Sequence, residues 1–425
     1  MIKIPNKIIF ITLLFLIFTY GIPGRVLAHE KNYQVTTLDN GMTVVMTDMP
    51  NSQIVSLYML VKIGSATEGE YLGTGITHFL EHMLFKSTES RAVGEISEEV
   101  QSLGGSINAS TSYDYTIYKI DLPYTAFDQG LDIIADMIMH PVFLEEEVKK
   151  EREVVFGEMR LYDDNPDRYI SRLAFDSAYL QHPYRHPIIG YRSLFGKLQK
   201  EDLEKFYAIH YHPNNMIFSI AGNINMDEDF EKVQKAFSAY ERHYVPPRTL
   251  PEEPQQISFR DIREFYPTDL ARFSLAYKSV PLLNEDLYAL DVLASILGQG
   301  KSSRLYQSLF DDKKLVYRIY SYNYTPFDQG LFLIEGMLDE QNIPEALKEI
   351  RSNIDQVKTK GVKAQEIEKA IRQVVSDYVF SHQTSAQIAQ SRAFDVAYTG
   401  DYQFSEKYVE GIKAVTNEDI IRVAR

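Results

Sequence analysis

Residues 73–90 read GTGITHFLEHMLFKSTES, and the five at 78–82, HFLEH, decide how the rest of the chain is read. Gly73 and Gly75 open the segment, and Thr74 to about Ser87 has the pattern of a helix. On a helix, residues four apart share a face with Cβ atoms ~5–6 Å apart, so His78 and His82 can reach one metal ion. Glu81, three residues on from His78, leans into the same space. A catalytic zinc needs three protein ligands and an open position for water, with an unliganded carboxylate beside it to move protons. Taken alone, the spacing suits a packed helix face equally well.

The search for a third ligand leads to EREVVFGEM, residues 151–159. Glu151 and Glu158 are seven apart, two helical turns, and so share a face. A solvated charged helix accounts well for Glu145 to Glu153. It accounts less well for Glu158, which is flanked by Val155, Phe156 and Met159. A carboxylate on a core-facing stripe is costly to bury without a charged partner.

Working outward, YQVTTLDNGMTVVMTDM (33–49) reads as a β-hairpin turning at Asn40-Gly41. A strand follows in SQIVSLYMLVKIGSA (52–66). The pattern continues with a helix over 95–103, strand–turn–strand over 107–122, helices over 125–140 and 145–162, and a strand in NNMIFSIAGNI (214–224). ERHYVPPRTLPEEPQQ (241–256) holds four prolines and reads as an extended, semi-rigid linker. Beyond it the order returns: strand FSLAYKSVP, helix DLYALDVLASIL, strands RIYSYNYT and LFLIEGML, then helices. Residues 143–159 echo 362–378 at an offset of 219, with Glu147, Lys150 and Val155 matching Glu366, Lys369 and Val374. A neighbouring alignment sets His78, Glu81 and His82 against Asp291, Ala294 and Ser295. The chain thus reads as a tandem duplication in which the first copy carries the histidines. The organisation expected is residues 1–28 as a leader, 29–240 as the first domain, 241–256 as linker and 257–425 as the second domain.

HFLEHMLFKST, LGGSINASTSYDYTIY, EREVVFGEM and HPYRHPIIG…YHPNNMIFSIAGNI, in that order, resemble the pitrilysin/insulinase family of zinc peptidases, whose inverted motif is H-x-x-E-H. The resemblance runs from about residue 33 to the end and is strongest to the branch that includes the mitochondrial processing peptidase. It implies an α+β fold of two homologous halves, each an antiparallel sheet with packed helices, forming a clam-like chamber. It implies one zinc ion per chain, held by His78, His82 and Glu158, with Glu81 as general base and Glu151 orienting a ligand histidine. Asn108 and Ala109 fall in the edge strand that pairs with an extended peptide. Tyr317 and Arg304 match family residues that reach the substrate from the second half, whereas Phe310 stands where an arginine is usual. The activity implied is endoproteolysis of peptides or unfolded segments. Phe310 keeps a second reading open, a poorly active peptide-binding or assembly subunit that needs a sister chain. Family members of this length pair as homodimers or with a chain lacking the zinc motif. They also continue through a last strand, whereas this sequence ends at NEDIIRVAR in a helical pattern.

Composition narrows the setting. The 425 residues are 44% hydrophobic, enough for more than one core, and contain no cysteine, so metal ligands must be His, Asp or Glu. Residues 1–28 have Lys3 and Lys7, a 13-residue apolar run (8–20), too short for a stable membrane span, and Val26-Leu27-Ala28 as a cleavage site. We read them as a signal peptide preceding a mature start at His29, and expect export to a periplasm or beyond. The net charge is −15, and removing Lys3, Lys7 and Arg25 with the leader leaves −18. That charge argues against nucleic acid and anionic membranes as partners. The GKSS in GQGKSSRLY lacks the upstream glycine of a phosphate loop, and His182, His186, His210 and His212 read as structural.

Overall fold

The computed structural model describes residues 32–425; the expected leader and the start at His29 lie outside them. Six strands build the first sheet: β1 (Tyr33–Thr37), β2 (Thr43–Asp48), β3 (Ile54–Val61), β4 (Ser106–Thr111), β5 (Thr116–Pro123) and β6 (Met216–Gly222). Their order is β1-β2-β6-β3-β5-β4, antiparallel except where β2 and β6 run parallel. That exception follows from the long helical excursion before β6, since a crossover lets a strand return in either direction. The β1–β2 hairpin turns where expected. Gly41 sits at φ 87°, and a Cβ there would come within 2.7 Å of the Asn214 side chain.

Between β3 and β6 the chain forms α1 (Ile76–Leu84), α2 (Glu95–Ser102), α3 (Phe127–Met139), α4 (Glu145–Asp163) and α5 (Pro166–Ala178), then further helices including Lys200–His210. The main core lies between one face of the sheet and α1, α3 and their neighbours. It takes Val55, Leu57, Met59 and Val61 from β3, and Phe79, Leu80 and Met83 from α1. The alternate β3 residues Tyr58 and Leu60 point to the opposite face, which Ala389 and Ala393 of helix Ser385–Thr399 cover. A strand buried on both sides has no polar alternation, which is why IVSLYMLV is almost unbroken.

The second sheet has three antiparallel strands in the order β7-β9-β8: β7 (Ala271–Lys278), β8 (Arg318–Tyr324) and β9 (Leu331–Leu338). Helices Leu287–Gly298, Ile343–Lys360 and Ala364–Phe380 fill its own core. On its other face Leu331 and Leu333 meet Ala174, Ala178, Tyr179 and Tyr184, from α5 and the turn that follows. Each half therefore lends a helix to the other's sheet, and residues 33–425 form one compact unit. No regular structure occurs between Ser238 and Leu270. Arg248 in this stretch ties Asp114 of the first half (2.8 Å) to Asp328 of the second (2.9 Å). Among the described residues no helix is long and apolar enough to cross a membrane.

Candidate metal centre

α1 turns Ile76, Phe79, Leu80, Met83 and Leu84 into the core, which leaves His78 and His82 on its remaining face. Gly75 begins the helix at φ 74°. A Cβ there would strike the Ile189 carbonyl at 2.2 Å, so only glycine lets the two backbones approach. The buried carboxylate of Glu68 accepts the Thr77 N–H at 3.1 Å and satisfies one of the helix's free amides. Burial pushes the Glu68 carboxyl up to about 8, against the opposing pull of the amides at the helix start.

α4 crosses this face. Val148, Val155 and Met159 anchor it in the core, and Glu151 and Glu158 project toward the histidines. Glu158 Oε2 lies 3.8 Å from His78 Nε2 and 3.7 Å from His82 Nε2. The three ligand atoms lie within 4.8 Å of one another. These separations are too long for hydrogen bonds but suit three donors around an ion ~2 Å from each. Burial, helped by His82, pulls the His78 imidazole down to about 3, so it stays neutral with a lone pair to give. Two imidazoles and one carboxylate, with no thiolate in the chain, form a donor set that fits zinc with a position left open.

The surroundings orient this set. His82 Nδ1 donates to Glu151 Oε1 at 2.8 Å, which turns Nε2 toward Glu158. Lys86 Nζ, one turn on from His82, lies 2.5 Å from the other Glu151 oxygen. Burial opposes the Glu151 charge, but the bonds from His82 and Lys86 outweigh it, and its pKa is lowered. For His82, burial is likewise outweighed by Glu151, Glu158 and Glu81, and its pKa is raised. Glu81 Oε2 accepts the Thr111 hydroxyl at 2.6 Å. Burial raises the Glu81 carboxyl despite that bond.

These groups line a cleft of about 520 Å³ together with Phe85, Asn108, Ala109, Leu161, Tyr162 and Arg168. β4 is the edge of its sheet, so one side of Asn108 and Ala109 is open to a further strand. The Asn108 side chain meanwhile accepts the Ala109 N–H at 2.8 Å.

The structure thus brings together His78, Glu81, His82, Asn108, Ala109, Glu151 and Glu158. It does not bring Tyr317 or Arg304 to them, and those two expectations are corrected. Arg304 grips both oxygens of Glu366 at 2.7 and 2.8 Å, and Glu366 in turn accepts the Lys363 N–H at the start of helix Ala364–Phe380. Its fork is used to pin that helix. Tyr317 is exposed beside β8 and donates its hydroxyl to Asp339 at 3.1 Å. Phe310 stacks on Tyr306, with ring centroids 4.6 Å apart, against the second core. His182 is buried and accepts the Tyr184 N–H, as its structural reading requires.

Sequence reasoning missed Lys86, Thr111, Glu68 and Arg168. Two carried a signal: Lys86 continues the i, i+4 row of His78 and His82, and Thr111 shares a strand face with Ala109. Glu68 and Arg168 had none.

Known proteins resemble this chain along most of its length. Residues 43–191 match the family described as Insulinase (Peptidase family M16), and residues 197–374 match the Peptidase M16 inactive domain. The chain is 31% identical over 402 residues to an uncharacterized zinc protease of Rickettsia felis, covering 93% of this chain and 95% of that one. It is 30% identical over 416 residues to the zinc protease PqqE of Helicobacter pylori, covering 96% and 93%. The crystal structure of a protease from Helicobacter pylori superposes with a TM-score of 0.86 at 29% identity, over 92% of this chain and 95% of that one. A peptidase M16 inactive domain from Pseudomonas fluorescens shares the fold, with a TM-score of 0.83 at 17% identity over 92% and 93%.

Proposed function

The chain belongs to the M16 (insulinase) family of peptidases, and from that premise we propose that it is a zinc-dependent endopeptidase acting on peptides or unfolded protein segments. The observation that carries this reading is the convergence of His78, His82 and Glu158 with Glu81, beside the open edge of β4, in one cleft. His78, His82 and Glu158 would hold a zinc ion, which would supply Lewis acidity toward water and the substrate carbonyl.

The protein's own residues do the rest. Glu81 is the general base: Thr111 holds one of its oxygens, and the other is free to take a proton from water and return it to the departing amine. Its raised pKa suits both halves of that exchange. Glu151 fixes the tautomer and ring plane of His82, and Lys86 keeps Glu151 ionised. The free edge of β4 binds an extended peptide by main-chain hydrogen bonds, with Asn108 swinging from Ala109 to the incoming strand. The test is hydrolysis of a quenched fluorescent peptide library by the zinc-loaded chain and by its Glu81→Gln variant. Cleavage by the first alone supports the reading; cleavage by both overturns the role of Glu81.

A second reading rests on a specific observation. The cleft is lined by residues 78–168 alone, and Tyr317 and Arg304 are engaged elsewhere. On that reading the chain binds zinc but needs a second chain, a copy or a relative, to complete substrate binding. Zinc bound without hydrolysis, and hydrolysis restored by a partner, would favour it.

A further inference from the structure

One cation in the cleft is not engaged by any acid. Lys86 is held by Glu151, but Arg168, on the first turn of α5, has no ion pair or side-chain hydrogen bond among the described residues. Its position is well defined all the same. Its backbone N–H donates to the Asn165 cap at 3.1 Å. Its guanidinium lies over the Tyr162 ring, 4.0 Å from the centroid, a stacking that holds the fork without using its donors.

Asp164, four residues before Arg168, makes no ion pair with it, and the two other neighbouring acids are already partnered. Asp163 pairs with Arg172 at 2.7 Å, and Asp167 is held by Arg272 and Arg318, each at 2.7 Å. Exposed Leu161 and Tyr162 complete this wall. In a chain of net charge −15, the cleft therefore presents a pre-oriented guanidinium with its planar fork open, on the same cavity as the metal-ligand cluster. Such a fork matches a carboxylate bidentately.

We propose that Arg168 is a specificity residue that takes a carboxylate of the bound peptide, so that this cleft prefers acidic substrates. The carboxylate is either an Asp or Glu side chain near the scissile bond or a free C-terminus, and the inference rests on the peptidase reading above.

The experiment measures peptide binding by the full chain carrying Glu81→Gln, so that it does not depend on turnover. Fluorescent peptides are compared as matched pairs: Glu against Gln at each internal position, and C-terminal acid against C-terminal amide. The expected result is about tenfold tighter binding of the acid in one kind of pair, as for a single charge-assisted contact. The kind of pair that responds identifies the carboxylate. Arg168→Ala should bring the ratio to about one, and Arg168→Glu should invert it toward the Gln or amide member of the pair, which loss of a merely structural contact would not do. Equal affinity within every pair, absence of peptide binding, or a preference that survives Arg168→Ala overturns the proposal. Hydrolysis by the unmodified chain is scored separately. Cleavage without acid preference removes Arg168's role and leaves the peptidase reading standing; acid preference without cleavage does the reverse.

Discussion

In each half a helix follows a sheet strand, α1 after the interior strand β3 and Leu287–Gly298 after the edge strand β7, and the two helices are filled in opposite ways. In α1, His78, Glu81 and His82 line the cleft, and two of them are met from other elements: Glu151, itself held by Lys86, meets His82, and Thr111 meets Glu81, while His78 Nδ1 is buried without a hydrogen-bond partner. In helix Leu287–Gly298 the matching residues are Asp291, which is partly buried, and Ala294 and Ser295, which are buried. Asp291 accepts hydrogen bonds from Asn323 at 2.9 Å and Tyr408 at 2.6 Å, and burial raises its carboxyl to about 6. At the offset of 219, Ala370, almost fully buried, stands opposite Glu151. One scaffold thus supports either a cleft of mutually compensated charges or a packed core. The choice rests on a few side chains and on whether each buried charge has a partner.

The comparison can be broken most decisively at the ligands. His82→Ala or Glu158→Gln should abolish stoichiometric zinc, read by elemental analysis, whereas Ser295→Ala should leave zinc content unchanged. Retained zinc in both ligand variants would sink the assignment. Glu81→Gln should keep zinc and lower hydrolysis by roughly 10²–10⁴-fold, the range of general acid–base catalysis.

Transplanting a charge is the next largest effect. Ala370→Glu puts into the second half the carboxylate that Glu151 supplies in the first, without His82 or Lys86 to meet it. It should destabilise the protein by about 3 kcal/mol, read from urea unfolding. The reciprocal Glu151→Ala should weaken zinc binding by ~10–100-fold, read by chelator competition.

Asp291 sharpens the contrast through pH. Its folded pKa, about 6, lies above the ordinary aspartate value of 3.8. The native state therefore holds the proton more tightly, and the stability this confers is complete below about pH 4 and lost as pH rises through about 6. Relative to Asp291→Asn, the wild type should lose up to ~3 kcal/mol between about pH 4 and pH 7. Parallel urea midpoints for the two proteins across that window would refute the shift. The smallest effect expected is Thr111→Val, which frees Glu81 from its tether; a loss of roughly tenfold in kcat with zinc retained is in keeping with one hydrogen bond to a charged group.

That His78 and His82 share one helix face, and Glu151 and Glu158 another, was readable from spacing, because helical geometry places residues four and seven apart on one face whatever surrounds them; their roles were implied by the family resemblance. The N-terminal hairpin, the irregular stretch after Ser238 and the recurrence of elements in the second half were readable for the same reason: turn residues, prolines and periodicity act locally. Tyr317 and Arg304 were not. Where their side chains go depends on Asp339 and Glu366, 22 and 62 residues further along the chain. Arg168 lines the cleft from the first turn of α5, which begins at the Asn165-Pro166 turn after α4.

By itself, then, the amino-acid sequence determined the strands and helices, their recurrence after the proline-rich stretch, and the helix faces shared by His78 with His82 and by Glu151 with Glu158. All of these follow from dihedral preference and periodicity within one or two elements. Only the tertiary structure decided that α5 and helix Ser385–Thr399 are exchanged between the halves, that Glu68 and Thr111 steady α1 and Glu81, and that Arg168 stands open beside the ligands. Those contacts join residues far apart in the chain. They are chosen by which apolar faces can be covered and which buried charges answered, a balance that exists only once the whole chain has packed.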